Sequence, residues 1–474
     1  MNGKRSKGKG SCRTCYATFK THSSDGTIHR HGPRPSPCPG SSQPPAEILD
    51  PSAILPGVQA GAGVVNLANQ SPHALSTPLL LGIEDTEEND IVGCQQTPRT
   101  GEPRVQHPNI TTRLLRHIPK GARSESGRLL TKIINNVLSD PEKIESWRNL
   151  LAFTYIVLEQ PNRGGKKHNL TASIRRRITE FQHSLPSKLL DLFDQNKSDI
   201  HHTRRSPTSI EHTMATAVAA KIEEGNIRAA TRILCSGDAP ALINEITLEE
   251  LRSKHPSPPS DRPPMPAPPP STEAYQTTEA MVRNQILHFP PGSSGGPDGL
   301  KPQHILEMIN TKDTGPELLS AITGLVNILL AGKCPTEIRP VLFGGTLFAL
   351  RKKTGGLRPI AIGYYWRRLT SKCANKYASD QAAAYLSPKQ LGVGVPGGCE
   401  AAVHATRRFL SSMDDDHIEV KLDLSNAFNS LYRDCMLASV IEILPDLAPY
   451  CFHAYAEEST LKFGGYTVQS RVGP

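Results

Sequence analysis

At 474 residues the chain has room for two or three domains. Its 37% hydrophobic content is low and its 41 prolines and 37 glycines are many, which excludes one continuous globule and predicts folded units alternating with open segments. The net charge of +9 favours a polyanionic partner, although a merely soluble basic protein would carry it too. No run of about 18 apolar residues is present, so no membrane span is expected.

The chain opens on Lys4-Arg5-Ser6-Lys7-Gly8-Lys9, basic but with no apolar stretch behind it, so it is not a secretory signal. The cysteines are scattered apart from Cys12 and Cys15, which suits a reducing compartment and points to nuclear or cytoplasmic residence. Residues 8–42 form a candidate zinc finger. Cys12-x2-Cys15 is a tight pair of soft ligands, and Phe19 stands where such a finger keeps its core aromatic. His29 and Cys38 can complete a tetrahedral Zn2+ site, with His31 or His22 as alternates. His29 and His31 are too close together to copy the usual spaced histidine pair. The plain alternative is a basic tail with incidental Cys and His. A segment this short would need the metal to fold.

Residues 43–108, rich in Pro, Gly, Ser and Gln, are expected to be a disordered linker, because they cannot bury enough apolar area to offset ordering entropy. Residues 109–253 read as a helical domain. Leu129, Ile133, Ile134, Val137 and Leu138 recur at helical spacing. Ser139-Asp140-Pro141-Glu142 then supplies a cap, a first-turn proline and an acid for the next helix. That helix should bury Ile144, Trp147, Leu151 and Leu158 and stop near Pro161. A further pair, over 210–223 and 226–234 with Gly225 between, reads as a helical hairpin rather than a DNA-reading helix-turn-helix. Among these helices Arg163, Lys166, Lys167, Arg175, Arg176 and Arg177 form a basic cluster that can track a phosphate backbone, or serve as a solvated helix face.

Nine prolines between positions 256 and 270 make residues 254–271 a semi-rigid spacer and a domain boundary. Beyond it, residues 272–474 alternate helix and strand signals. Two apolar strands between Leu347 and Ile362 flank a loop whose Gly355-Gly356 is a hairpin turn signal. Arg351, Lys352 and Lys353 lead into the turn and Arg358 begins the return, offering a charge cluster and a forked guanidinium to a triphosphate. The same residues could form an exposed basic hairpin. From Ile418 to Asp423 apolar and polar residues alternate strictly, which predicts a half-buried strand ending in a carboxylate. An acid at a strand exit can hold a divalent cation or simply cap the following turn. A helix through Ile443 and a hairpin from Leu461 to Val468 complete the chain.

Four pieces in this order are similar to the motifs of one family. Gly295-Gly296-Pro297-Asp298-Gly299-Leu300, the hairpin with Lys353, Arg358, Pro359 and Ile360, Gln390-Leu391-Gly392-Val393-Gly394-Val395-Pro396-Gly397-Gly398, and Leu422-Asp423-x-x-Asn426-Ala427-Phe428-Asn429 resemble successive reverse transcriptase motifs of non-LTR (LINE-like) retrotransposons. The likeness covers residues 272–474. The helical block before the spacer also looks like the region preceding the polymerase in some such proteins, and the Cys/His layout resembles their DNA-binding zinc fingers.

The resemblance implies a multidomain α+β chain: candidate zinc finger, disordered linker, helical block, then the fingers of a right-hand polymerase over 290–415 and the first part of its palm. Asp423 would be a ligand of two catalytic Mg2+ ions with the Leu424 carbonyl beside it, Phe428 the aromatic that excludes a ribose 2′-hydroxyl, and Arg358 with Lys353 the clamp on the incoming dNTP. The implied partners are an RNA template, a DNA primer and dNTPs, and genomic DNA through the zinc finger. The family also carries a Gly-Gln-Gly-Asp-type motif and a Phe/Tyr-x-Asp-Asp pair after this point, and Gly473-Pro474 stands where the former would begin. Asn429 stands where many relatives have Asp. One carboxylate cannot hold two metals, so these 474 residues are expected not to polymerise by themselves. The alternative is a nucleic-acid-binding protein that keeps a decayed polymerase fold and a zinc finger.

Overall fold

The computed structural model describes residues 9–11, 18–20, 113–160, 169–183, 210–235, 239–267, 273–352, 355–386, 388–414, 416–422 and 424–473. The chain divides into two units, Met1–Gln96 and Thr97–Pro474. In the first, β1 (Lys9–Ser11) pairs antiparallel with β2 (Thr18–Lys20), Gly10 opposite Phe19. Cys12 and Cys15, in the connection between these strands, lie outside the described residues, as do His22, His29, His31, Cys38 and the whole of 43–108.

The second unit is mixed α and β, with helices predominating. Helix α1 (Arg123–Ser139) buries Leu129, Ile133, Ile134 and Val137 of the stripe the periodicity marks, with Leu138 partly buried, and adds Leu130. The Asp140 carboxylate accepts the Glu142 amide at 3.2 Å, and one turn intervenes before α2 (Ile144–Val157) begins. Trp147 of α2 is fully buried and its indole N–H donates to the Pro141 carbonyl at 2.8 Å, so the large apolar body keeps a polar partner. Helix α3 (Leu170–His183) turns Ile174 and Ile178 inward. Helices α4 (Ile210–Glu223) and α5 (Ile227–Cys235) flank Gly225 as the expected hairpin.

The boundary expected at the proline spacer does not separate two cores. One cluster joins Leu130, Ile134, Trp147 and Ile174 to Ile305, Leu318, Ile322, Trp366 and Leu369, on both sides of residues 254–271. Those later residues belong to α8 (Pro302–Ile309), α9 (Gly315–Leu330) and α11 (Tyr365–Leu386), reached through α7 (Glu279–Leu287); α10 (Arg339–Leu342) is a single turn. The physical reason is that α9 is apolar around most of its surface and needs cover on more sides than its sequence neighbours supply. Helix α1 provides it. Glu307 pins the junction: its carboxylate accepts the Ile118 amide at 2.7 Å, His117 Nδ1 at 2.8 Å, Gln303 at 3.0 Å and an ion pair from Arg123 at 3.2 Å. Burial pushes this carboxyl up, but those donors outweigh it and hold it below the usual range. The spacer itself is docked, Arg262 lying 4.1 Å over the Tyr432 ring and hydrogen-bonded to Asp434.

The sheet is built around β4 (Gly345–Arg351). Strand β5 (Leu357–Gly363) pairs antiparallel along one whole edge. The other edge is shared: β6 (Ser459–Phe463) pairs parallel at Gly345 and Thr346, and β3 (Ala239–Pro240) antiparallel at Leu350 and Arg351. Strand β7 (Tyr466–Ser470) closes a hairpin onto β6, as the sequence suggests. Helix α6 (Glu245–Ser253), capped by the Asn244 side chain on the Thr247 amide, covers one face through Leu248 and Leu251 against Leu347, Ala349, Leu357 and Phe463.

One expected strand is missing. Residues 416–422 have no regular structure, and Ile418, Val420 and Leu422 are 83%, 67% and 82% exposed. Alternation encodes a half-buried face, but a strand also needs a ladder partner, and among the described residues none is offered to this segment. Before it lies α12 (Gly398–Ser412); after it come a 3-10 turn over Ala427–Ser430, α13 (Arg433–Ile443) and α14 (Ala448–Tyr455). Arg433 is buried and fastens this end: its guanidinium donates to the carbonyls of Gly473 at 2.8 Å, Glu457 at 2.7 Å and Ser470 at 3.0 Å.

Candidate nucleotide and nucleic-acid site

The β4–β5 hairpin forms as expected, with Gly355 at φ +91° and Gly356 at φ +75° in its turn, a region that favours glycine. Helix α6 ties this hairpin to the turn that follows Asp423. Glu250 Oε1 accepts the Leu357 amide at 2.7 Å, and one helical turn later the Lys254 carbonyl accepts Asn426 Nδ2 at 3.0 Å. Four residues of helix span roughly 6 Å, so the root of Arg358 and the turn at 426–429 are held on neighbouring parts of one scaffold.

Asn426 organises that turn. It adopts φ +53°, which Asn tolerates better than most residues, and its backbone carbonyl accepts the Asn429 amide at 3.0 Å and the Ser430 hydroxyl at 3.0 Å. Phe428 within the turn is 82% exposed, so it is not an ordinary core aromatic. Leu424 is 75% exposed. Asp423 and Lys353 lie outside the described residues.

A cavity of about 480 Å³ lies between β5, α11, the 427–430 turn and the β6–β7 hairpin. Ala361 and Gly363 of β5 and Asn429 of the turn share its wall, so the strand of Arg358 and the turn after Asp423 meet in one cleft. Arg358 itself takes the other side of the strand. Side chains alternate along β5, so Arg358 shares its face with Ile360 and, across the ladder, with Leu350 and Phe348, opposite Leu357 and Ala361. The cations on the cavity wall are instead Arg367, Arg368 and Lys372 of α11. They escape notice in the sequence because they belong to none of the four motifs. The available signal was three cations within six positions opening a helix straight after a strand.

The Gly295–Leu300 motif packs against the base of this cleft. A Cβ on Gly296 would lie 2.5 Å from the Gly363 carbonyl oxygen and 2.7 Å from Tyr364 Cα, so only glycine lets the loop pass the β5–α11 junction. Asp298 beyond it is 1% exposed, accepting the Leu300 amide at 3.2 Å while its Oδ2 has no partner. Burial raises its pKa to about 7, against the opposing pull of the Leu300 amide and Arg368.

The three arginines on α3 make intramolecular contacts. Arg175 pairs with Glu125 at 2.8 Å and Arg176 with Glu180 at 3.5 Å. Arg177 turns inward and donates to the Glu159 carbonyl at 2.6 Å, closing the C-terminal end of α2. Only Arg177 is turned away from solvent; Arg175 and Arg176 keep more than half of their side chains exposed. Arg163, Lys166 and Lys167 lie outside the described residues. Among the described residues no group of three or more His, Cys, Asp or Glu side chains is placed to hold a metal ion, and no helix is long and apolar enough to cross a membrane. No protein-family model and no curated protein matches the chain.

Proposed function

We propose that the chain is the fingers and opening palm segment of an RNA-directed DNA polymerase of the non-LTR retrotransposon type, preceded by a zinc finger that contacts DNA. The observation that carries the reading is the shared cleft: β5 and the turn following Asp423 line one cavity, with α6 bonded to both. The four ordered motifs support it from the sequence side. The paired strands on either side of Cys12 and Cys15 support the zinc finger.

In this reading the Asp423 carboxylate and the Leu424 carbonyl are hard oxygen donors of the kind Mg2+ prefers. Bound there, Mg2+ supplies charge neutralisation at a triphosphate and activation of a primer hydroxyl. The chain's own contributions are positional. Asn426 holds the turn so that Phe428 stands out from the core, where a ring can collide with a ribose 2′-hydroxyl. Lys353 and Arg358 put fixed positive charge on the hairpin.

The test is equilibrium binding of a fluorescent dNTP to the purified chain. Binding should require Mg2+ and weaken about tenfold or more in Asp423→Asn, since one carboxylate anchors the metal. Binding indifferent to both Mg2+ and Asp423 would sink the assignment. In a primer-extension assay the 474 residues alone should incorporate no nucleotide. The position of Arg358, opposite the cavity side of β5, favours a second reading, strand binding without nucleotide addition. It predicts retained RNA affinity with no metal-dependent dNTP binding.

A further inference from the structure

The cavity holds more than the nucleotide reading uses. Its wall carries three permanent cations, Arg367, Arg368 and Lys372, and no carboxylate. Arg368 and Lys372 stand four apart on α11, one face of one helix, where like charges repel. Among the described residues neither is ion-paired. Both lie over the same ring instead, the Arg368 guanidinium and the Lys372 ammonium each 5.2 Å from the centroid of Phe289. Arg368 is further aimed by donating to the Ser294 carbonyl at 2.6 Å, and Arg367 by donating to the Phe343 carbonyl. Among the described residues Asp298 is the carboxylate in electrostatic range of Arg368; it is buried and leaves the cluster positive.

Uncompensated cations gathered on a concave wall need an anion. The size and lining say which class. A cavity of about 480 Å³ exceeds what a small inorganic anion fills, and its apolar side, Phe289, Pro290 and Leu461, offers that anion nothing. A nucleotide unit presents both halves: a phosphate for the cations and the flat π-face of a base for the apolar side. We propose that this cavity binds the phosphate of a nucleic-acid strand, with Arg368 and Lys372 as its ligands and Phe289 as the ring that holds the two cations together. The site needs neither Asp423 nor a metal, so it stands or falls apart from the polymerase reading.

The experiment uses the full chain in EDTA with a 5′-labelled single-stranded 20-nucleotide RNA, followed by fluorescence anisotropy across a salt series. Arg368→Gln/Lys372→Gln should weaken binding about tenfold and flatten the log–log salt slope by about 1.4, two phosphate contacts on a single strand. Arg283→Gln/Lys312→Gln, which removes the same charge from exposed positions away from the cavity, should change affinity less than about twofold. Should the double variant fail to fold, Lys372→Gln alone carries the test, since the ring contact is the interaction the structure gives its ammonium, and about a threefold loss is expected. Competition separates the sources of phosphate. Displacement by unlabelled RNA but not by tripolyphosphate or dNTP assigns the strand backbone; displacement by all assigns nucleotide phosphates as well. Cavity variants that bind like the parent, or controls that weaken binding equally, would overturn the proposal.

Discussion

Two buried groups on neighbouring motifs have opposite protonation demands. Asp298, its pKa raised to about 7 by burial, prefers the neutral carboxylic acid in the fold. Its stabilisation is full below the unfolded value near 3.8 and is lost as pH rises to about 7, a change of about 4 kcal/mol. His304 is held neutral, its pKa lowered to about 4 by burial, with Nε2 bonded to the Leu115 carbonyl at 2.9 Å. Its stabilisation is present above the unfolded value near 6.5 and is lost as pH falls to about 4, a change of about 3 kcal/mol. Between pH 4 and 6.5 the two slopes nearly cancel. Asp298→Asn should therefore remove the opposing slope, leaving His304 together with His453, also lowered to about 4 by burial, and urea unfolding of that variant should show stability rising more steeply with pH across this window than in the parent. A variant whose profile runs parallel to the parent's would contradict the assignment. The sequence marks Asp298 as part of the Gly295–Leu300 motif, but nothing local to it announces a buried acid; that follows from the elements packed over it.

At the scale of elements, α1 and α9 pack tightly at Gly324, against the tip of the Leu138 side chain. A Cβ on Gly324 would lie 2.9 Å from Leu138 Cδ1. Gly324→Leu should force the helices apart and cost about 1–3 kcal/mol, read as a lower midpoint in urea with an unchanged slope. The same substitution at exposed Gly465, where a Cβ meets nothing within 4 Å, should cost far less. Helix α1, the β4–β5 hairpin and the β6–β7 hairpin were legible because each is written in a local period with its own turn or breaker. The segment from Ile418 to Leu422 is equally periodic, yet it forms no strand, because pairing is not a local property. Its amides should exchange with solvent within the earliest times of a hydrogen-exchange series, whereas those of β4 and β6 should be protected. Slow exchange across 418–422 would show that the segment has found a partner.

For the whole second unit, the proline spacer shows how composition misleads about domains. A run of prolines does mark a stretch without helix or strand, and residues 256–267 have neither. It does not mark the edge of a core. The helical block and the later segment share one interior, with Trp147 and Trp366 in the same cluster and Glu307 bonded across the junction. The cleft is equally a product of assembly: Phe289, Gly363, Asn429 and Ser459 are distant in sequence and meet on one wall.

From the residues alone came the element types, the turn glycines, the basic character and the ordered motifs that suggest polymerase chemistry, since propensity, spacing and charge are properties of short stretches. Tertiary structure decided which cations face the cleft, that Arg177 turns inward while Arg175 and Arg176 stay at the surface, and that the alternation before Asp423 stays unpaired among the described residues. Those outcomes depend on which surfaces meet. A side chain's partners are set by long-range packing, and no local pattern encodes them.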